Sequence, residues 1–128
     1  MSEMSNYLEQ ALINGTLRGT TYTAPTTVYV GLYTTDPTDA NTGTEVSGGS
    51  YARTAVTFDA PSNGTALNSG AVEFPQCTVD WGVVGWIGIL DAATSGNLLY
   101  HTPLDVSKTI SAGDIFKIAI GSLSVNLS

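Results

Sequence analysis

DWGVVGWIGILDAATSGNLLYHTPLDVSKTISAGDIFKIAIG, residues 80–121, is the stretch that decides the fold class. It begins with a run whose apolar side chains occupy both faces of an extended strand: Val83, Val84, Trp86, Ile87, Ile89 and Leu90. Such a run is typical of a strand that is buried on both sides. The turn-forming segments AATSGN and SAGD then separate further extended segments. The pattern predicts strands joined by turns and contains no recognisable reaction centre, which favours a structural or binding module over an enzyme.

The rest of the chain carries the same extended pattern in shorter pieces. Residues 28–33, 51–58 and 123–127 each alternate two sets of side chains along a strand. Charged residues make up 12% of the chain, against about 25% in typical domains. Threonine, which suits half-exposed strands, fills much of that difference with 18 copies. We therefore predict an all-β protein of seven or eight short strands, forming a compact antiparallel β-sandwich or jelly-roll-like domain with one short N-terminal helix.

The domain organisation follows from length and local composition. With 128 residues, no internal repeat and no linker, the chain is predicted to form a single domain, 1–128. Within it we expect an N-terminal helix in residues 1–15 and the β-sandwich in residues 26–128. Residues 35–50 are polar and rich in Gly and Asp, and they predict an exposed loop with little contact to the core.

The N-terminal helix is predicted over residues 5–14, with Ser2 or Ser5 as its N-cap and Gly15 as its stop. Its apolar residues recur at helical spacing on one face: Met4, Leu8, Ala11 and Leu12. A helix of about ten residues is too short to be stable alone in water. Its apolar face must therefore pack either on its own sheet or on a partner chain.

The partner alternative defines a candidate assembly interface. Its members are the helix face, the neighbouring Tyr7 and one tryptophan, namely Met4, Tyr7, Leu8, Ala11, Leu12 and Trp81. Trp81 and Trp86 are each open to two interpretations, as buried core residues or as residues of a subunit interface or glycan-stacking platform.

The charge balance bears on the classes of partner. Four basic residues face eleven acidic ones, for a net charge of −7. Nucleic acid and anionic membrane surfaces are disfavoured as partners, because both attract clustered Lys and Arg. The N-terminus is polar and acidic, unlike a signal peptide, and no apolar run approaches the roughly 20 residues that span a bilayer. We expect the chain to be made soluble in a cytoplasm.

Residues with chemical potential are few. Cys77, the single cysteine, excludes an intrachain disulfide and is expected to be a small buried apolar residue. His101, the single histidine, is expected to be structural, at a strand end. Residues 36–41, DPTDAN, bring two carboxylates and an Asn together, but they lack the ligand spacing of a calcium loop and are interpreted as ordinary turn formers. We predict no catalytic, cofactor or metal residues.

Four segments carry a family resemblance across nearly the whole chain. They are NYLEQALINGTLRGTTYTAP, VYVGLYTTDPTDANTGTEVSGGSYARTAVTF, DWGVVGWIGILDAATSGNLLYH and AGDIFKIAIGSLSVNL. Together they resemble a family of small tailed-bacteriophage virion proteins that are usually labelled tail fibre protein and are similar to capsid decoration, or cement, proteins. Cys77 lies outside this pattern. The resemblance implies a place in the virion and synthesis in the host cytoplasm, and it brings no catalytic motif.

Two functions are compatible with the resemblance and with the residues. The leading hypothesis is a non-enzymatic decoration protein that binds the outer capsid surface and stabilises the shell. Its partners would be the major capsid protein or other virion proteins, and it would form a small homo-oligomer, with a trimer as one option. The alternative is a tail fibre or baseplate component with host-surface glycan binding. The compact acidic sequence has no heptad or repeat to build a fibre shaft, which favours the first hypothesis.

Overall fold

A computed structural model describes residues 2–127 of the chain, which form one helix and nine strands. In chain order they are β1 (Glu3–Met4), α1 (Asn6–Leu17), β2 (Val28–Tyr33), β3 (Thr54–Val56), β4 (Thr65–Leu67), β5 (Val72–Glu73), β6 (Gly82–Leu90), β7 (Leu98–Ile110), β8 (Lys117–Ile118) and β9 (Ser124–Asn126).

The main sheet has five strands in the order β1-β7-β6-β2-β3, and every neighbouring pair is antiparallel. Residues 80–121, which predicted the fold class, contain the two longest strands of this sheet, β6 and β7, joined by residues 91–97. The buried end of β6 is covered on both faces, as its apolar run predicted: Ile87, Gly88, Ile89 and Leu90 are all buried. After the SAGD turn, the chain forms only the two-residue strand β8 before β9.

Two ribbons form the second layer of the fold. β4 pairs with β9, and β5 pairs with β8. The core joins this layer to one face of the main sheet, with Val30 and Leu32 from β2 and Ile87 and Ile89 from β6. The ribbon side contributes Val72, Phe74, Phe116, Ile118 and Leu123. The all-β antiparallel class is confirmed, and the second layer consists of two short ribbons.

The opposite face of the sheet contains a pair of facing glycines. Gly31 and Gly88 are cross-strand partners in β2 and β6. A Cβ on Gly88 would lie 2.7 Å from the Leu98 side chain and 2.9 Å from the Tyr33 ring. The missing side chains therefore create the space into which Tyr33 and Leu98 pack, which is a close-approach role for glycine in a strand.

The N-terminal helix differs from its prediction at both ends. Ser5 is confirmed as the N-cap, and its hydroxyl accepts a hydrogen bond from Leu8 N at 3.2 Å. Met4 lies outside the helix, in β1, where it faces Tyr100 of β7. Gly15 does not end the helix, which continues to Leu17 and closes at Arg18 before Gly19, whose φ is +70°. The left-handed glycine that follows the helix is thus four positions later than predicted.

The loop of residues 35–50 is only partly the exposed excursion that its composition predicted. Most of its residues are exposed, but Pro37 and Val46 are buried. Val46 N donates to Leu32 O at 2.9 Å, and Glu45 forms an isolated bridge with Tyr33. The end of the loop therefore belongs to the core, because it pairs with the central strand β2 before the chain turns away.

Candidate functional site

The residues of the predicted assembly interface do not form one surface, because some are buried in the core and others are exposed. Leu8 is buried, and so is Trp81, whose ring meets the Tyr51 ring edge-on at a centroid distance of 5.4 Å. Trp81 Nε1 donates to Gly49 O at 3.0 Å, so its polar atom is satisfied inside the domain. These two residues are removed from the predicted interface because the chain's own core covers them.

The remaining members of the predicted interface lie at or near the surface. Met4, Ala11 and Leu12 are half-buried, and Tyr7 is 42% exposed. Ala11 and Leu12 follow Leu8 at i+3 and i+4, so they share the face of α1 that packs on its own domain. Of the two alternatives for this face, the structure therefore favours packing on the chain's own sheet.

The outward side of α1 exposes two large apolar residues that the sequence prediction overlooked. Ile13 is 55% exposed and Leu17 is 79% exposed, and their i, i+4 spacing places them side by side. Their exposed neighbours on the helix are the polar residues Glu9, Gln10 and Thr16, and Glu9 is the only charged residue in α1. Two large apolar side chains exposed side by side on one helix make this side of α1 a candidate contact surface.

A second cluster ties the long loop to the sheet. Arg53 makes a two-point contact with Glu45, Nε to Oε2 at 2.9 Å and Nη2 to Oε1 at 2.8 Å. Arg53 Nη1 also donates to the carbonyl oxygens of Ala92 and Ser95 at 2.9 and 2.7 Å. The guanidinium therefore links the loop after β2 to the β6–β7 turn. Its hydrogen bonds to Glu45 raise the pKa of Arg53, although burial acts in the opposite direction.

Two tyrosines complete this cluster. Burial, together with its hydrogen bond to Glu45, raises the pKa of Tyr51 well above its ordinary value. The Tyr51 hydroxyl donates to Glu45 Oε2 at 2.6 Å and accepts from Leu32 N at 2.9 Å. Burial, reinforced by the charge of Glu45, raises the pKa of Tyr33 from 10.0 to about 12. Each polar group here has a partner within the protein, so we interpret the cluster as a structural tie.

A third cluster surrounds the single histidine. His101 is 4% exposed and lies within β7 rather than at a strand end. Its Nε2 is 2.8 Å from Asp39 Oδ1 and 3.7 Å from Glu3 Oε2. Its Nδ1 is 4.0 Å from Asp36 Oδ1. Three exposed carboxylates thus converge on one buried imidazole.

Backbone pairing positions these side chains. Glu3 and His101 are directly opposite each other in the antiparallel pair of β1 and β7, which brings their side chains onto one face. The Asp39 carbonyl accepts from Asn6 N at 2.9 Å, at the start of α1. The cluster therefore joins three segments that are far apart in sequence.

The sequence pointed to residues 36–41 and to His101 separately, but it did not predict that they lie together. The DPTDAN segment was singled out for Asp36, Asp39 and Asn41, but Asn41 Oδ1 instead accepts from the Tyr33 hydroxyl at 3.1 Å. His101 was considered alone, and Glu3 was assigned to a helix. The missing signal was the pairing of β1 with β7, which a two-residue strand cannot reveal by periodicity.

The remaining singled-out residues have structural positions. Cys77 is buried, as predicted, and its thiol lies 3.0 Å from Val79 O. Trp86 is half-buried, opposite Tyr33 on β2 and Pro103 on β7. Among residues 2–127, no helix has the length and apolar character needed to cross a membrane.

The fold and surface define a class: a small antiparallel β domain with one N-terminal helix, which exposes Ile13 and Leu17. Residues 3–126 match the family described as Podophage GP4 fiber I protein gp80, and the chain belongs to this family. It is therefore a bacteriophage virion structural protein, which confirms the resemblance seen in the sequence. No curated protein matches the chain at a significant level.

Proposed function

We propose that this chain is a non-enzymatic fibre component at the phage tail, acting as a compact attachment module rather than as a shaft. The observation that carries the proposal is the match over residues 3–126 to a family described as a podophage fibre protein. This support reverses the order of the two hypotheses drawn from the sequence, because the family description favours the fibre.

The outward face of α1 is the contact surface that we assign to assembly. Ile13 and Leu17 are exposed apolar side chains on a helix whose only charge is Glu9. Burying these side chains against another protein removes apolar area from water. Each Å² of apolar area buried stabilises the contact by about 25 cal/mol. The contact would be with a second copy of the chain in a small homo-oligomer or with another virion protein. The net charge of −7 disfavours nucleic acid as the partner.

Capsid decoration is the second candidate. It is favoured by the compactness of the described residues, whose longest helix has 12 residues and whose strands fold back into one core. A domain of this shape suits a repeated position on a lattice, where small gains per copy add up over the shell. Its partner would be the major capsid protein.

Locating the protein in the particle separates the two candidates. In an electron cryomicroscopy map of the virion, with the density fitted by this fold, the fibre proposal expects copies at the tail. Copies arranged on the capsid lattice would overturn the fibre proposal and support decoration. Antibody labelling of intact virions is an independent readout of the same positions.

A further inference from the structure

We propose that Glu3, Asp39 and His101 form a binding site for a divalent transition-metal ion, with Zn²⁺ as the ion that best suits one imidazole and two carboxylates. Imidazole nitrogen and carboxylate oxygen are both common zinc ligands. The site does not depend on whether the protein sits on the tail or on the capsid.

The ligand atoms are spaced for one ion. A nitrogen of His101 and one carboxylate oxygen from each acid all lie within 4.8 Å of one another. His101 Nε2 is 2.8 Å from Asp39 Oδ1 and 3.7 Å from Glu3 Oε2. Tetrahedral ligands at about 2.0–2.1 Å from zinc stand roughly 3.3–3.5 Å apart, so the two distances from His101 Nε2 differ from a zinc site by about half an ångström or less. The exposed carboxylates leave the solvent side open for water as a further ligand.

The carboxylates around the His101 imidazole create a negative environment that favours a bound cation. Glu3, Asp36 and Asp39 approach His101, and within residues 2–127 no Lys or Arg forms an ion pair with any of the three. The two ion pairs that Lys and Arg do form here are Arg53 with Glu45 and Lys117 with Glu73. Three carboxylates outnumber the single charge that a protonated His101 could supply. A bound divalent ion would relieve their mutual repulsion.

The protein also prepares the site. His101 is buried in β7, the longest strand, and Glu3 is fixed opposite it by strand pairing. Asp36 is placed to support the ligand nitrogen from behind, since its Oδ1 is 4.0 Å from His101 Nδ1. A movement of about 1 Å would give a hydrogen bond from Nδ1–H to that carboxylate, the arrangement that usually orients a metal-binding histidine.

Metal binding at this position would fasten the N-terminal segment. Glu3 belongs to β1, Asp39 to the long loop and His101 to β7, so one ion would cross-link three segments. An ion that binds only the folded chain stabilises it by mass action. We therefore expect Zn²⁺ to raise the melting temperature of the free protein.

The test uses the 128-residue chain without a histidine tag, first treated with a chelator and then titrated with ZnCl₂. Because the chain has a single histidine, its imidazole signals in ¹H–¹⁵N correlation spectra report on His101 alone. We expect one equivalent of Zn²⁺ to shift the Nε2 resonance, with matching stoichiometry in calorimetry. An Nε2 resonance unmoved by Zn²⁺, with no rise in melting temperature, would overturn the proposal. It would then leave the cluster as a histidine hydrogen-bonded to carboxylates.

Paired variants test the ligands. Loss of a group that only supports a ligand weakens metal binding about 10- to 100-fold, so Glu3→Gln and Asp39→Asn should each weaken Zn²⁺ binding at least about tenfold. The controls Glu9→Gln and Asp105→Asn remove exposed carboxylates outside the site and should bind as the wild type does. Equal binding by site variants and controls would overturn the assignment of these ligands.

Discussion

Arg53 shows how one side chain can hold a loop in place. Its guanidinium satisfies the Glu45 carboxylate and two carbonyl oxygens of the β6–β7 turn. A lysine has a single ammonium group and cannot reproduce this planar, forked arrangement. The loop's attachment therefore depends on the shape of the guanidinium as well as on its charge.

We predict that Arg53→Lys lowers the free energy of unfolding by about 2–4 kcal/mol, since it leaves a mostly buried carboxylate and two carbonyl groups poorly paired. Urea unfolding followed by tryptophan fluorescence measures the change. Arg18→Lys is the matched control, because Arg18 is exposed at the end of α1, and its effect should stay within about 0.5 kcal/mol. Similar values for the two variants would contradict the structural role of Arg53.

Tyr33 gives the fold a dependence on alkaline pH. Burial raises its pKa from 10.0 to about 12, so folding favours the neutral phenol. This contribution is complete below pH 10 and is lost as the pH rises through about 12. It amounts to roughly 2–3 kcal/mol, from about 1.4 kcal/mol per pKa unit.

We expect the stability of the wild-type chain to fall between pH 10 and 12, and Tyr33→Phe to show a shallower fall. At pH 8 the variant should lose about 0.5–1.5 kcal/mol, because the hydroxyl no longer donates to Asn41. Urea unfolding at pH 8, 10 and 12 provides the comparison. If both proteins lose the same stability across this range, the titration of Tyr33 is not a cause.

At the scale of elements, the packing of β2 and β6 depends on two glycines, which lack side chains on the face of the sheet opposite the core. Gly31 and Gly88 face each other, and the side chains of Tyr33, Leu90 and Leu98 fill the space beside them. The two strands thus use small residues to admit large neighbours, which is the interdigitation that close-packed interiors require.

Gly88→Ala should therefore destabilise the protein by about 1–3 kcal/mol through overpacking against Leu98 and Tyr33. Gly85→Ala, in the same strand, is the matched control, since a Cβ there meets nothing within 4 Å. The control should be neutral or slightly stabilising, because alanine loses less backbone entropy than glycine on folding. Thermal unfolding of both variants tests this, and a Gly88→Ala protein as stable as the control would refute the packing argument.

At the scale of the whole molecule, the N-terminal segment has two faces, and the outward one is the surface that we propose for assembly. Its inner side belongs to the fold: β1 extends the sheet, Leu8 is buried, and Ser5 N donates to Leu99 O at 2.9 Å. Deleting this segment would therefore damage the domain itself. Side-chain changes on the outward face of α1 are the cleaner test of assembly.

We predict that the double variant Ile13→Gln, Leu17→Gln keeps the fold and weakens self-association or particle binding about tenfold or more, as loss of apolar contact residues does. Glutamine is a good helix former, so α1 should persist. Sedimentation velocity and co-sedimentation with particles lacking the protein measure assembly, and circular dichroism measures the fold.

The matched control is Val106→Thr, Ile120→Thr, which removes two other exposed apolar side chains. It should assemble normally. An Ile13, Leu17 variant that assembles like the wild type would locate the contact surface elsewhere on the domain.

The sequence by itself determined the class of the fold and much of its main sheet. The alternation in residues 28–33 and the apolar run before Leu90 each report local geometry, because a strand's faces repeat every two residues. The N-cap at Ser5 and the burial of Cys77 were predictable for the same reason, since each depends on residue type and near neighbours. The family, too, was recognisable from the order of its segments.

Only the tertiary structure decided which surfaces and clusters these residues form. Trp81 was open to a core and an interface interpretation, and its burial beside Tyr51 and Gly49 places it in the core. Glu3, Asp39 and His101 come together because β1 pairs with β7 and the long loop returns to the start of α1. Such contacts join residues separated by many positions, and no periodicity within a segment records them. The fold class can therefore be predicted from local sequence patterns, whereas the candidate binding site depends on contacts between segments that are distant in sequence.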